Sequence, residues 1–199
     1  MVWMLYGGTV MDIETFITDI IPIRDKELRE ILKRECIIES YKKGSRMNEL
    51  GEPDQYIRFL ISGIVRGYFL GSSGKETTSG FAFRPGESIA GTRLLDGSAN
   101  EMGWEVVEDC EVFCIPVETI LALRTQFQEM SDLHVLELAK AALHHMDCRK
   151  MLVLKTAKER YEWFLVHYPG IIDRVSHSDV ASFLNMTPVT LSRIRNGKE

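Results

Sequence analysis

No long apolar run occurs in this sequence. A membrane-crossing helix needs roughly 18 or more consecutive apolar residues, and the 199-residue chain offers no such stretch. A cytoplasmic protein without a membrane partner is therefore expected. The opening M-V-W-M-L-Y-G-G-T-V is apolar but lacks a basic flank and is short for a secretory signal. Met11-Asp12-Ile13-Glu14 reads as the more natural beginning, which makes residues 1–10 a start-site extension. Cysteine is scarce. Cys36, Cys110, Cys114 and Cys148 form neither a C-x-x-C pair nor zinc-ligand spacing. Cys110 and Cys114 share a face of the β-like stretch E-D-C-E-V-F-C-I-P, and all four are expected as buried free thiols. No cysteine-rich N-terminus is present to hold an iron–sulfur cluster. There is no Walker-type glycine loop and no G-x-S-x-G elbow. His144-His145 are adjacent on a helical stretch and point apart, so they cannot close on one metal. No catalytic residue, metal or cofactor is expected, and the chain reads as a non-enzyme.

Positive charge is also in short supply, with a net charge of −5. Its distribution is uneven. Residues 1–150 carry 17 basic and 24 acidic groups, whereas residues 151–199 carry 7 and 5. The C-terminal segment alone is net positive, by a margin that predicts only modest attraction to phosphates.

The composition that is present, 45% hydrophobic and 27% charged, supports a folded core. Residues from about Ile13 to Glu35 read as helical, with I-E-T-F-I followed by L-R-E-I-L. From Cys36 to about Val117 short apolar runs are broken by turn residues, among them Q-Y-I-R-F-L-I-S-G and I-V-R-G-Y-F-L. That pattern indicates a β-sandwich or barrel. G-S-S-G at residues 71–74 reads as a hairpin loop, and Gly63 and Gly67 as bulges or bends within strands. After Pro116 the period becomes helical, with a long helix from Ser131. In it Leu136, Ala139, Leu143 and Met146 step by three, four and three, as in a coiled-coil seam. Packing on the barrel and pairing with a second copy explain that seam equally well. Thr156 with Glu159 forms a capping box for a further helix, which Pro169-Gly170 stops.

The stretch S-H-S-D-V-A-S-F-L-N-M-T-P-V-T-L-S-R-I-R-N, residues 176–196, reads as two short helices around a tight turn. Ser176 is the N-cap of the first, with His177-Ser178-Asp179 as capping residues, and Asn185 suits the left-handed conformation that ends it. Thr187 caps the second, and Pro188 takes its first position, where a missing N–H costs nothing. Leu191 and Ile194 point to one side of this second helix. Val189, Ser192, Arg193 and Asn196 point to the other. A short supported helix that shows a hydroxyl, a guanidinium and an amide to solvent suits base reading in a major groove.

A β-rich roll, a long helix and a helix-turn-helix, in that order, resemble the Crp/Fnr family of bacterial transcription regulators from about Ile13 onward. V-S-H-S-D-V-A-S-F-L-N-M-T-P-V-T-L-S-R-I-R is similar to the family's helix-turn-helix, and Y-I-R-F-L-I-S-G-I-V-R-G-Y to its central strands. The resemblance implies an α+β fold divided into a jelly-roll-like β-roll sensor domain (residues 1–130), a long dimerisation helix (131–155) and a helix-turn-helix domain (156–199). It implies double-stranded DNA as partner, a homodimer through Leu136, Ala139, Leu143 and Met146, and a DNA-contacting set of Thr187, Pro188, Val189, Ser192, Arg193, Arg195 and Asn196. Arg193 falls where the family commonly places a base-reading arginine. Pro188 and Val189 cannot make the polar contacts of the best-known members, so a different operator is expected.

Two departures from the family stand out. Cyclic-nucleotide-binding members carry a cassette after Pro-Gly-Glu, with a glutamate for the ribose and an arginine for the phosphate. Here it reads F-R-P-G-E-S-I-A-G-T-R-L-L-D-G-S-A-N-E-M-G-W. The resemblance places an effector pocket at Gly86, Glu87, Ile89, Ala90, Gly91, Thr92, Arg93, Glu101 and Met102. Gly91 stands at the glutamate position and Glu101 at the arginine position. A desolvated carboxylate repels a phosphate by several kcal/mol, so cyclic AMP is not expected as the effector. Arg93 leaves room for another anion. The chain also stops at N-G-K-E, where the family continues into a β-hairpin wing, and backbone contacts from a wing are expected to be missing. The alternative is a ligand-binding or protein-interaction module whose helix pair does not bind DNA alone.

Overall fold

The computed structural model describes residues 11–89 and 97–197. The chain begins with α1 (Ile13–Thr15), capped by Asp12, whose side chain accepts the Thr15 amide proton at 2.8 Å. A π-helical turn, Phe16–Ile20, continues it, and α2 follows at Lys26–Glu35. The expected continuous helix is thus broken at residues 21–25. Pro22 has no N–H to donate there. Asp25 instead starts a new helix by accepting the Leu28 amide proton at 3.0 Å.

The strands are β1 (Ile37–Tyr41), β2 (Tyr56–Leu70), β3 (Glu76–Ala82), β4 (Ser88–Ile89) and β5 (Met102–Pro116). They form one antiparallel sheet ordered β1-β5-β2-β3, with β4 paired to β2. Two apolar runs expected as separate strands are one strand, β2, whose register against β5 shifts around Gly63. Gly63 has φ +93, and a Cβ there would lie 2.4 Å from the Asp109 carbonyl oxygen. Only glycine fits that bend. A second shift follows Gly67, against β3. The G-S-S-G loop closes the β2–β3 hairpin, with Gly71 N–H donating to Lys75 O at 2.9 Å.

Around its bend β2 serves three cores. Ile57, Phe59 and Ile61 face Phe16, Ile17, Leu28 and Leu32 of the N-terminal helices, where Phe16 stacks on Phe113 at 4.7 Å. Leu60 and Val65 face Met47, Ile89, Met102, Trp104, Val106 and Val112, which fill the interior of the roll. Ile64 joins Phe81 of β3 in a third core with the C-terminal helices. Those helices are α3 (Val117–Gln126), α4 (Gln128–Leu154), α5 (Ala157–His167), α6 (His177–Phe183) and α7 (Pro188–Arg195). The long helix starts at Gln128, after an extended residue at Phe127.

On α4 the buried residues are Met130, Cys148 and Met151. Leu136, Leu143 and Met146 are 51%, 67% and 54% exposed, and Ala139 is exposed too. The seam therefore does not pack on the sheet, which removes one of the two explanations for it. Thr156 and Glu159 form the capping box of α5, with Glu159 Oε2 accepting from Thr156 N at 2.7 Å.

Candidate nucleic-acid interface

Each end of the helix pair is fixed by its own side chains. Ser176 Oγ accepts the Asp179 amide proton at 3.0 Å and donates to Asp179 Oδ2 at 2.6 Å, closing the first turn of α6. Asn185 adopts φ +50, the left-handed conformation that turns the chain after α6. Thr187 Oγ1 accepts from Thr190 N at 3.0 Å, and Pro188 opens α7. From α5, Arg160 donates to Asn185 O at 3.2 Å and holds the turn. Leu191 is fully buried and packs with Val180, Ala181, Phe183 and Leu184, and Ile194 is also buried.

The opposite face of α7 is open. Thr187, Pro188, Val189, Ser192, Arg193 and Asn196 are exposed, Val189 to 70%. The structure thus brings six of the seven sequence-selected residues to one exposed helix end and face. Arg193 makes no hydrogen bond or ion pair among the described residues. Asn196 folds back and donates to Ser192 O at 2.8 Å. Arg195 is half-buried and differs from the others: its guanidinium donates to Asp173 Oδ1 at 3.0 Å and meets His177 Nε2. Its charge ties α7 to Asp173 and to His177 at the start of α6.

In the roll, Gly86 has φ +84, and a Cβ there would meet Ile20 Cγ2 at 2.9 Å. The Glu87 carboxylate accepts from Phe83 N at 2.7 Å, Arg84 N at 3.0 Å and Arg84 Nη1 at 3.0 Å. It braces its own loop. Ile89 and Met102 are buried in the roll core, and Glu101 lies exposed just before β5. Ala90, Gly91, Thr92 and Arg93 lie outside the described residues. Of the five described residues of the expected pocket, Gly86 shapes the turn, Glu87 braces its loop, Ile89 and Met102 are core and Glu101 is exposed.

Sequence reasoning passed over two buried arginines. Arg58 and Arg66, on β2, are 8% and 5% exposed. Arg58 lies 3.7 Å from Asp54, which also accepts from Asn100 Nδ2 at 2.6 Å. Arg58 Nε and Asn100 Oδ1 have no hydrogen-bond partner among the described residues. A charge inside an apolar strand run was the available signal, because burying one requires partners that the fold must supply. The thiols follow expectation: all four are free and buried. Burial pushes Cys36 and Cys114 up to about 12, and Cys110 and Cys148 up to about 11. They remain protonated at neutral pH, unsuited to nucleophilic chemistry. Cys148 Sγ lies 3.5 Å from His144 Nε2, which also meets the Tyr168 hydroxyl at 3.1 Å. Burial, followed by the neighbouring His145, holds His144 below its usual value.

Residues 38–127 match the sequence model of the cyclic nucleotide-binding domain. Curated protein sequences give no match. Among solved structures, FixK2 from Bradyrhizobium japonicum superposes with a TM-score of 0.72 at 23% identity, covering 81% of this chain and 83% of that one. CLP from Xanthomonas campestris, described as a c-di-GMP responsive global regulator, gives 0.69 at 16% identity over 85% and 89%. A CRP/FNR-family transcriptional regulator from Thermus thermophilus gives 0.67 at 16% identity over 81% and 84%. Among the described residues no helix is long and apolar enough to cross a membrane.

Proposed function

From a chain that has the fold of the Crp/Fnr regulators and a cyclic nucleotide-binding domain at residues 38–127, we propose a sequence-specific DNA-binding transcription regulator that works as a homodimer. The observation that carries this reading is α7. Its apolar side is buried to Leu191 and Ile194, while its other side offers Ser192 and Arg193 to solvent at the end of a capped, rigid turn. Such a helix enters a major groove with a side chain able to read guanine O6 and N7. The exposed seam of α4 is the natural contact between two copies, and it would set the spacing of the two recognition helices. A signal in the roll acts by biasing that geometry. The test is a gel shift of the purified protein with genomic fragments at low salt. Discrete retarded bands that survive competitor DNA support the reading, and binding that competitor removes fully argues for a module that does not read sequence.

Cyclic AMP is not the effector in this reading. Glu101 stands where an arginine is needed, and the buried Ile89 and Met102 occupy the interior of the roll. Calorimetric titration with cyclic AMP should give no binding heat at sub-millimolar concentration. A dissociation constant in the micromolar range, about −8 kcal/mol, would contradict the assignment of the cassette.

A further inference from the structure

Arg66 is 5% exposed, and its partners come from β3, β5 and α6. Nη1 contacts Glu105 of β5 at 2.7 Å and Glu76 of β3 at 2.9 Å, and Nε donates to Thr78 Oγ1 at 3.0 Å. Across the junction, Nε lies 3.3 Å from Asp179 Oδ1 on α6. Beside it the Thr78 amide donates to Ser182 Oγ of α6 at 3.0 Å. Strand β3 is the edge of the sheet, so Ser182 covers an edge N–H that no neighbouring strand pairs. Phe81, further along β3, packs between Phe164, Tyr168 and Phe183 at ring distances of 6.1–6.2 Å. The first helix of the candidate DNA-reading pair is therefore docked on the sheet by an apolar plug, the Thr78–Ser182 hydrogen bond and a part-buried ionic contact.

The charges around Arg66 show how this contact can open. Arg46 pairs with the other oxygen of Glu76 at 2.8 Å. Without Asp179, the sheet side already holds two guanidinium groups against two carboxylates, with Arg66 still hydrogen-bonded. Undocking α6 leaves no orphaned buried charge, which is the usual obstacle to breaking a buried ion pair. Docking adds a third carboxylate and restrains α6 in one posture.

We propose that Arg66 and Asp179 form a releasable ionic latch that fixes the posture of the helix pair on the sheet, and that its opening lets the pair move relative to the roll. The consequence for DNA rests on the function proposed above; the latch itself does not. Its test uses the full-length protein without DNA and reads hydrogen exchange at the buried Thr78 amide, which donates to Ser182 Oγ of α6. Asp179→Asn, which removes the ion pair and keeps the side-chain shape, should speed that exchange by about tenfold. Amides in the β1–β5 ladder should keep their rates. Glu105→Gln should do the opposite and slow Thr78 exchange, because it leaves Arg66 more dependent on Asp179. Faster exchange in both variants, an unchanged rate in Asp179→Asn, or acceleration of the whole sheet at once would overturn the latch. A DNA titration of Asp179→Asn is then a separate measurement: loss of the latch with no DNA binding by either protein would count against the regulator and leave the latch standing.

Discussion

Arg193 and Arg195 sit two residues apart on α7 and have different surroundings. Arg193 is exposed and unpaired among the described residues, while Arg195 is half-buried against Asp173 and His177. Changing Arg193 to Ala should cost about 1–3 kcal/mol per half-site on a cognate operator and relax preference at one base pair. Folding should shift by less than about 0.5 kcal/mol. Changing Arg195 to Ala removes a partly exposed ion pair worth about 0–1 kcal/mol of stability, and any loss in DNA affinity should be the same for all sequences. Binding of cognate and scrambled DNA at matched salt, with thermal melts of both variants, separates these outcomes. Equal weakening of both DNAs by Arg193→Ala would remove its base-reading role. Part of the difference between the two arginines was legible in the sequence, where helical spacing puts Arg193 opposite Leu191 and Ile194 and Arg195 nearer the edge of the core face. The partners of Arg195, Asp173 and His177, were not legible, because the loop and helix end that carry them lie about twenty residues earlier in the chain.

At the scale of elements, the helix pair was the most legible part, because its signals are local: Ser176, Asn185, Thr187 and Pro188 act on their near neighbours. The third core was not legible. Ile64 and Phe81 are ordinary strand residues, and nothing nearby in the sequence announces that they pack against α5, α6 and α7 much later in the chain. Arg66 and Asp179 are hidden for the same reason. The seam of α4 was legible as apolar, and its exposure tells what it does not cover. Placing a charge in it with Leu143→Glu should convert a dimer to a monomer at micromolar concentration in sedimentation. Monomer stability should change little, because Leu143 is 67% exposed. A wild-type chain that sediments as a monomer would remove the seam's dimer role.

A titrating element links α4 to the end of α5. His144, beside the Tyr168 hydroxyl and Cys148, is held below its usual value near 6.5 by burial and then by His145; Glu87 and Asp147 pull the other way and His167 adds to the lowering. The unfolded chain takes up this proton near 6.5, while the folded chain does so only at lower pH. The contribution of neutral His144 is complete above about pH 6.5 and is lost as pH falls through the folded value. Melting temperatures at pH 7.5 and 5.5 should therefore fall more for the wild type than for His144→Gln. Equal falls would show that the acid sensitivity between these two pH values arises elsewhere.

For the whole molecule, the sheet and the C-terminal helices form one cooperating unit: the roll presents Phe81 and Arg66, the helices dock on them, and α7 keeps its polar face open. In the function proposed above, two such units read DNA together. Selection of bound sequences from a random duplex pool by the full-length protein tests that claim most directly. The expected result is enrichment of an inverted repeat with half-sites about 34 Å apart, one helical turn, and loss of that enrichment in Arg193→Ala. A pool that stays random while the protein is folded and dimeric, or a selected motif that Arg193→Ala recovers unchanged, would contradict it.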